Sequence, residues 1–155
     1  MTPLAPMEAL LAEELPAGEG WQYEPKWDGF RCIAVRSGKQ VELWSKSGKP
    51  LARYFPEVAA MMARLKARDF VIDGELLIAT AGAVSFDALQ LRLHPAESRI
   101  RKLSAATPGL FMGFDCLALG KAMLGDNPLA DRGARLQDLL AKESEPSLHL
   151  SPATT

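Results

Sequence analysis

Phe30-Arg31-Cys32-Ile33-Ala34-Val35-Arg36-Ser37-Gly38-Lys39-Gln40-Val41-Glu42-Leu43-Trp44-Ser45 reads as a β-hairpin. Phe30 to Val35 is rich in aromatic and β-branched residues, Ser37-Gly38 supplies a turn, and Val41 to Ser45 alternates apolar and polar. A hairpin makes antiparallel neighbours. The strands and helices around it show no regular βαβ rhythm, so the expected class is α+β, with largely antiparallel sheets and flanking helices.

Downstream, Ser47-Gly48-Lys49-Pro50 predicts a second turn. A helix then starts with Pro56 in its first turn and Glu57 beside it. Val58, Met61, Met62 and Leu65 fall at helical spacing on one face. Phe70 to Ala79 predicts a strand. Ser85 is placed to cap a helix over 86–93, carrying Leu89 and Leu93. Residues 94–108 read as a polar loop. Leu110 to Leu119 reads as a buried strand, Asp131 to Lys142 as a helix, and His149 to Ser151 as a short strand. Upstream, Trp21 to Lys26 reads as extended. Residues 1–20 form an acidic lead-in punctuated by Pro3, Pro6 and Pro16, with a brief helix expected over 7–15. Ser151-Pro152-Ala153-Thr154-Thr155 has the form of a helix start, so the expectation is a chain cut inside a larger domain.

The chain has 155 residues, enough for one domain with a core, and 48% of them are hydrophobic. Its net charge of -1 gives no global basic field, so contact with nucleic acid would need a local patch. Cys32 and Cys116 lie in apolar runs and outside any Cys-x-x-Cys pair, which reads as two buried thiols in a reducing compartment. There is no secretory signal pattern and no apolar stretch of membrane-spanning length, so a cytoplasmic protein without membrane association is the expectation. His94 and His149 have no partner at metal-ligand spacing, so no zinc site is expected. Arg92, His94, Arg99, Arg101 and Lys102 make one loop locally basic; a solvated loop is favoured over a phosphate contact.

The chemistry concentrates in three segments. Lys26-Trp27-Asp28-Gly29-Phe30-Arg31 sets an amine, an acid, a glycine and a guanidinium where extended chain breaks into a turn. A free lysine, with a pKa of about 10.4, is almost wholly protonated at neutral pH, so a nucleophilic Lys26 needs burial, a neighbouring cation such as Arg31, or a metal. Lys-x-Asp-Gly alone would recur by chance roughly once in thirty chains of this length. In Val71-Ile72-Asp73-Gly74-Glu75-Leu76-Leu77-Ile78, period two puts both carboxylates on one face of an apolar strand. Buried acids need compensation, from Lys26, Arg31, a ligand hydroxyl or a divalent cation, unless this is an edge strand with a wet face. In Phe111-Met112-Gly113-Phe114-Asp115-Cys116-Leu117, Phe114 sits beside an acid, and taken alone reads as core before a base-stacking platform.

These segments, in this order, resemble the adenylation (nucleotidyltransferase, ATP-grasp-like) domain of ATP-dependent DNA ligases. Glu24-Pro25-Lys26-Trp27-Asp28-Gly29-Phe30-Arg31 is similar to that family's nucleophile motif, and Ser45-Lys46-Ser47-Gly48-Lys49 to its next motif. Asp73-Gly74-Glu75 and Phe114-Asp115 follow. Pro6-Met7 and Trp21-Gln22-Tyr23-Glu24 resemble the smaller bacterial ligases of end joining.

The resemblance implies that 21–155 is the N-terminal part of such a domain, incomplete at its C-terminus and lacking the OB-fold domain. It implies ATP and Mg2+ as cofactors and nicked or broken double-stranded DNA as the partner of the full-length protein; end-joining partner proteins do not follow from these residues. Lys26 would form lysyl-AMP; in the full-length protein AMP would pass to a DNA 5′-phosphate and the nick would be sealed, in DNA repair or recombination. Glu24 would recognise the adenine amino group, Arg31 would contact the ribose, Glu75 the ribose or the metal, and Phe114 would stack on adenine. Lys46 stands where the family usually has arginine, which removes a bidentate grip. The alternatives are an RNA ligase, a capping guanylyltransferase with the same lysine chemistry, or a non-catalytic truncated remnant.

Overall fold

The computed structural model describes residues 4–155. Its centre is an antiparallel sheet in the order β2-β1-β3-β6-β7, with β8 added parallel to β6. β1 (Phe30–Ser37) and β2 (Gln40–Ser45) form the expected hairpin around Gly38, whose φ of 61° suits glycine. β3 (Asp69–Leu77) lies between β1 and β6 (Leu110–Leu119), so the strand carrying Asp73 and Glu75 is central, and the edge-strand reading fails. β4 (Ala79–Thr80) and β5 (Ala83–Val84) make a separate small hairpin. β7 (Ala122–Met123) and β8 (Leu148–Leu150) complete the strands.

One sheet face carries the main core. Cys32, Ala34, Ile72, Leu76, Phe111 and Cys116 pack there against α1 (Pro56–Arg64) through Val58, Met61 and Met62, and against α4 (Leu129–Ala141) through Leu136 and Leu139. Both cysteines are free and buried, and burial raises both thiols, Cys116 to about 11. The opposite face carries a smaller cluster of Ile33, Val35, Val71, Leu117 and Ala118 at one end. At its other end, period two brings Arg31, Asp73 and Glu75 to the surface of the sheet. No helix among the described residues is long and apolar enough to cross a membrane.

Several elements depart from the sequence expectations. Residues 7–15 form no helix: Leu10 and Leu11 are almost fully exposed, and so short a helix has little stability without an apolar face to bury. The segment 94–108 is not a loop but contains α3 (Glu97–Ala106), whose only buried residue is Ile100, too little apolar signal for periodicity to reveal. α2 (Phe86–Gln90) is shorter than expected, though Ser85 caps it as predicted by accepting from the Ala88 amide. Ser151 to Thr154 starts no helix; Thr154 instead exchanges two backbone hydrogen bonds with Tyr23, of 2.7 and 2.9 Å. Arg92 is not part of a solvated loop: it is fully buried, paired with Glu57, and donates to the Tyr54 and Thr107 carbonyls.

At Gly74 the packing of β3 on β6 leaves no room for a side chain. A Cβ there would overlap the Met112 carbonyl oxygen and lie 2.7 Å from the Phe111 ring. Gly74→Ala is expected to destabilise the fold by about 2 kcal/mol, read as a lowered urea midpoint. Gly125→Ala, where an added Cβ meets nothing within 4 Å, is the control expected to leave the midpoint near wild type.

Candidate active site

Asp73 is buried in the middle of the sheet and needs a partner. Arg31 supplies it from the neighbouring strand with a two-pronged contact, Nε to Oδ1 at 2.7 Å and Nη2 to Oδ2 at 2.6 Å. Burial is the largest influence on the Asp73 carboxyl and raises its pKa, and Arg31 offsets part of that rise. Of the compensating groups weighed from sequence, Arg31 is the one that pairs with Asp73.

Arg31 also stands directly opposite Glu75 in the strand register, its guanidinium carbon lies 4.9 Å from the centre of the Phe114 ring, and Nη2 reaches the Met7 carbonyl at 3.2 Å. The lead-in therefore crosses the site. The Phe114 ring face towards Arg31 is taken by the guanidinium, so a base would stack on the other face or displace it.

Phe114 reaches this face through an irregularity. Asp73 is opposite Asp115 and Gly74 is opposite Gly113, so Phe114 is an extra residue in β6 with no partner in β3. Such a bulge breaks the alternation and lets Phe114 and Asp115 share one face. Asp115 is held by Arg132, from the first turn of α4, with contacts of 2.8 and 3.1 Å, and by the Cys116 amide at 2.8 Å. Two like charges opposite each other would destabilise the strand pair, but each has its own arginine.

Glu75 is half-buried, and its Oε2 is buried with no hydrogen-bond partner. Desolvation pushes its carboxyl up to about 7, Asp73 adds to the rise, and Arg31 opposes it. Gly29 brings the Lys26 loop against this strand: a Cβ there would overlap the Leu76 carbonyl oxygen and lie 3.0 Å from Glu75 Oε2. Lys26 and Glu24 are exposed on that loop. Partial desolvation, then the Asp115 charge, raises the Glu24 carboxyl.

Lys46, exposed after β2, lines a cleft of about 1040 Å3 with Arg31, Phe30, Lys49 and Arg53. Arg31 is thus common to the cleft and to the acid-and-aromatic cluster. Sequence reasoning missed Arg132, which reads as an ordinary surface residue of a helix, and the contact from Met7. Among the described residues, no three His, Cys, Asp or Glu side chains converge as a metal site. Among the described residues, Glu75 Oε2 is the one buried carboxylate oxygen without a partner, which fits an ion such as Mg2+ that takes one or two carboxylates and completes its shell with water and phosphate oxygens.

The profile described as "ATP dependent DNA ligase domain" matches residues 5–155. Over its whole length the chain is similar to DNA ligase C of Mycobacterium tuberculosis, at 48% identity over 159 residues and covering 44% of that protein. DNA ligase C2 of Mycolicibacterium smegmatis is 46% identical, with 100% of this chain and 43% of the relative aligned. Among solved structures, the ligase domain from M. tuberculosis LigD superposes with a TM-score of 0.67 at 25% identity, covering 87% of this chain and 40% of that one. A mycobacterial DNA ligase D complexed with ATP and MES gives a TM-score of 0.65 at 25% identity, covering 86% and 40%. The chain belongs to the ATP-dependent DNA ligase domain family, and it spans less than half the length of these relatives.

The raised Glu75 carboxyl has a consequence for stability. Its folded-state value of about 7 lies above the ordinary 4.5, so the folded state favours the protonated acid. That contribution is fully present below about pH 4.5 and is lost as pH rises to about 7. Glu75→Gln removes it. The melting temperature of the variant relative to wild type is expected to climb across that window and to level off above it; parallel curves would contradict the assignment.

Proposed function

We propose that this chain carries the nucleotide-binding and self-adenylating centre of an ATP-dependent DNA ligase. The observation that supports it best is the grouping of Arg31, Glu75 and Phe114 on one sheet face, beside the loop that presents Lys26.

In this reading Lys26 Nζ, after losing a proton, attacks the α-phosphorus of ATP. The new N–P bond forms as the bond to the β-phosphate oxygen breaks, and pyrophosphate leaves. Arg31 is pre-aligned by Asp73, so it meets the ribose without first being ordered. Phe114 offers an aromatic face to adenine, and Glu24 accepts from its amino group. Glu75 contacts the ribose or holds Mg2+, which when bound would neutralise the triphosphate and the leaving group. Lys46 lends a point charge to a phosphate in the cleft, without the fork an arginine would provide.

In the full-length protein, AMP passes from Lys26 to the 5′-phosphate of nicked or broken double-stranded DNA. A 3′-hydroxyl then displaces AMP and seals the strand. In this reading the full-length protein acts in DNA repair or recombination.

Intact mass after incubation with Mg2+ and ATP tests the reading. Wild type is expected to gain the mass of one AMP and to release it on acid treatment, as a phosphoramidate does. Lys26→Ala is expected to gain nothing. An adduct of equal yield in Lys26→Ala would overturn the assignment.

A further inference from the structure

Lys26 lies exposed on a loop outside any strand or helix, yet a nucleophile must be held in place to react efficiently. The loop is tied down on both sides of the lysine by the same distant segment. Before it, Tyr23 exchanges two backbone hydrogen bonds with Thr154. After it, the Trp27 indole Nε1 donates to Ser151 Oγ at 2.9 Å, across 124 residues of sequence.

Ser151 is suited to this. It is buried, it follows β8 directly, and its amide donates to the Gly113 carbonyl at 2.8 Å. Gly113 is the residue before the Phe114 bulge. One serine therefore joins the nucleophile loop, by its side chain, to the strand that carries the aromatic, by its backbone. The Trp27 indole has a single donor, and this hydroxyl is where it goes.

We infer that Ser151 is a positioning residue for the adenylation step, acting through Trp27 to fix the backbone from which Lys26 reaches the α-phosphate. The inference rests on the reading of Lys26 as nucleophile. Ser151 is buried and acts through Trp27, so its effect is expected to fall on the rate of the chemical step and to leave ATP affinity alone.

The test uses two mild substitutions. Ser151→Ala removes the hydroxyl, and Trp27→Phe removes the indole donor while keeping an aromatic ring. Each is expected to slow AMP-adduct formation at saturating ATP by roughly tenfold, with the half-saturating ATP concentration changed less than twofold. The double variant is expected to be no slower than either single one, because both remove the same bond. Amide exchange at 23–29 is expected to quicken in Ser151→Ala while β1 and β3 stay protected. A Ser151→Ala rate equal to wild type, or losses that multiply in the double variant, overturns the proposal. If wild type forms no adduct, the reading of Lys26 fails instead, and unchanged exchange at 23–29 would then dismiss the tether as well.

Discussion

The contact between Arg31 and Asp73 is the one on which the site depends. Asp73 is placed in the middle of a central strand, where an ionised carboxylate without a partner is costly. Arg31 answers it from the adjacent strand with both prongs of its guanidinium. Once fixed in this way, the same side chain lies over Phe114, stands opposite Glu75 and donates to the Met7 carbonyl. Removing it would free the aromatic, the second acid and the lead-in together.

Beside that pair the sheet departs from strict alternation. The extra residue at Phe114 turns an aromatic and an acid to the same face. The acid is then stabilised by Arg132, which ties α4 to this end of the sheet. Glycine does the complementary work: Gly29 and Gly74 let the Lys26 loop and β6 approach β3 more closely than a side chain would allow. Glu75 is left with an unsatisfied oxygen and a carboxyl poised near neutrality, a combination suited to a group that meets a ligand or a cation.

The hairpin, the strands holding Asp73, Glu75 and Phe114, and the face of α1 were legible because period-two and helical spacing are local signals. Ser85 as a cap was legible for the same reason. Bulges were not: nothing local marks Phe114 as unpaired, since its lack of a partner is a property of two strands together. Arg92 misled because an arginine among polar residues reads as solvated, and only Glu57, 35 residues earlier, supplies the charge that lets it be buried. α3 buries only Ile100, too little for periodicity to reveal, and residues 7–15 stay non-helical because Leu10 and Leu11 find nothing to pack on. Ser151 and Arg132 matter through partners far away in sequence, which no spacing within their own segments encodes.

Arg31 compensates Asp73 and, in the proposed function, also meets the nucleotide. A mutant cycle with Arg31→Met, Asp73→Leu and the double variant, measured for both unfolding free energy and ATP binding, separates these two roles. Arg31→Met alone is expected to lose about 3 kcal/mol of stability, because it leaves the buried carboxylate alone. The double variant is expected to regain much of that loss, and to bind ATP no better than Arg31→Met. Arg31→Met folding as stably as wild type, or the double variant recovering ATP binding along with stability, would contradict the account.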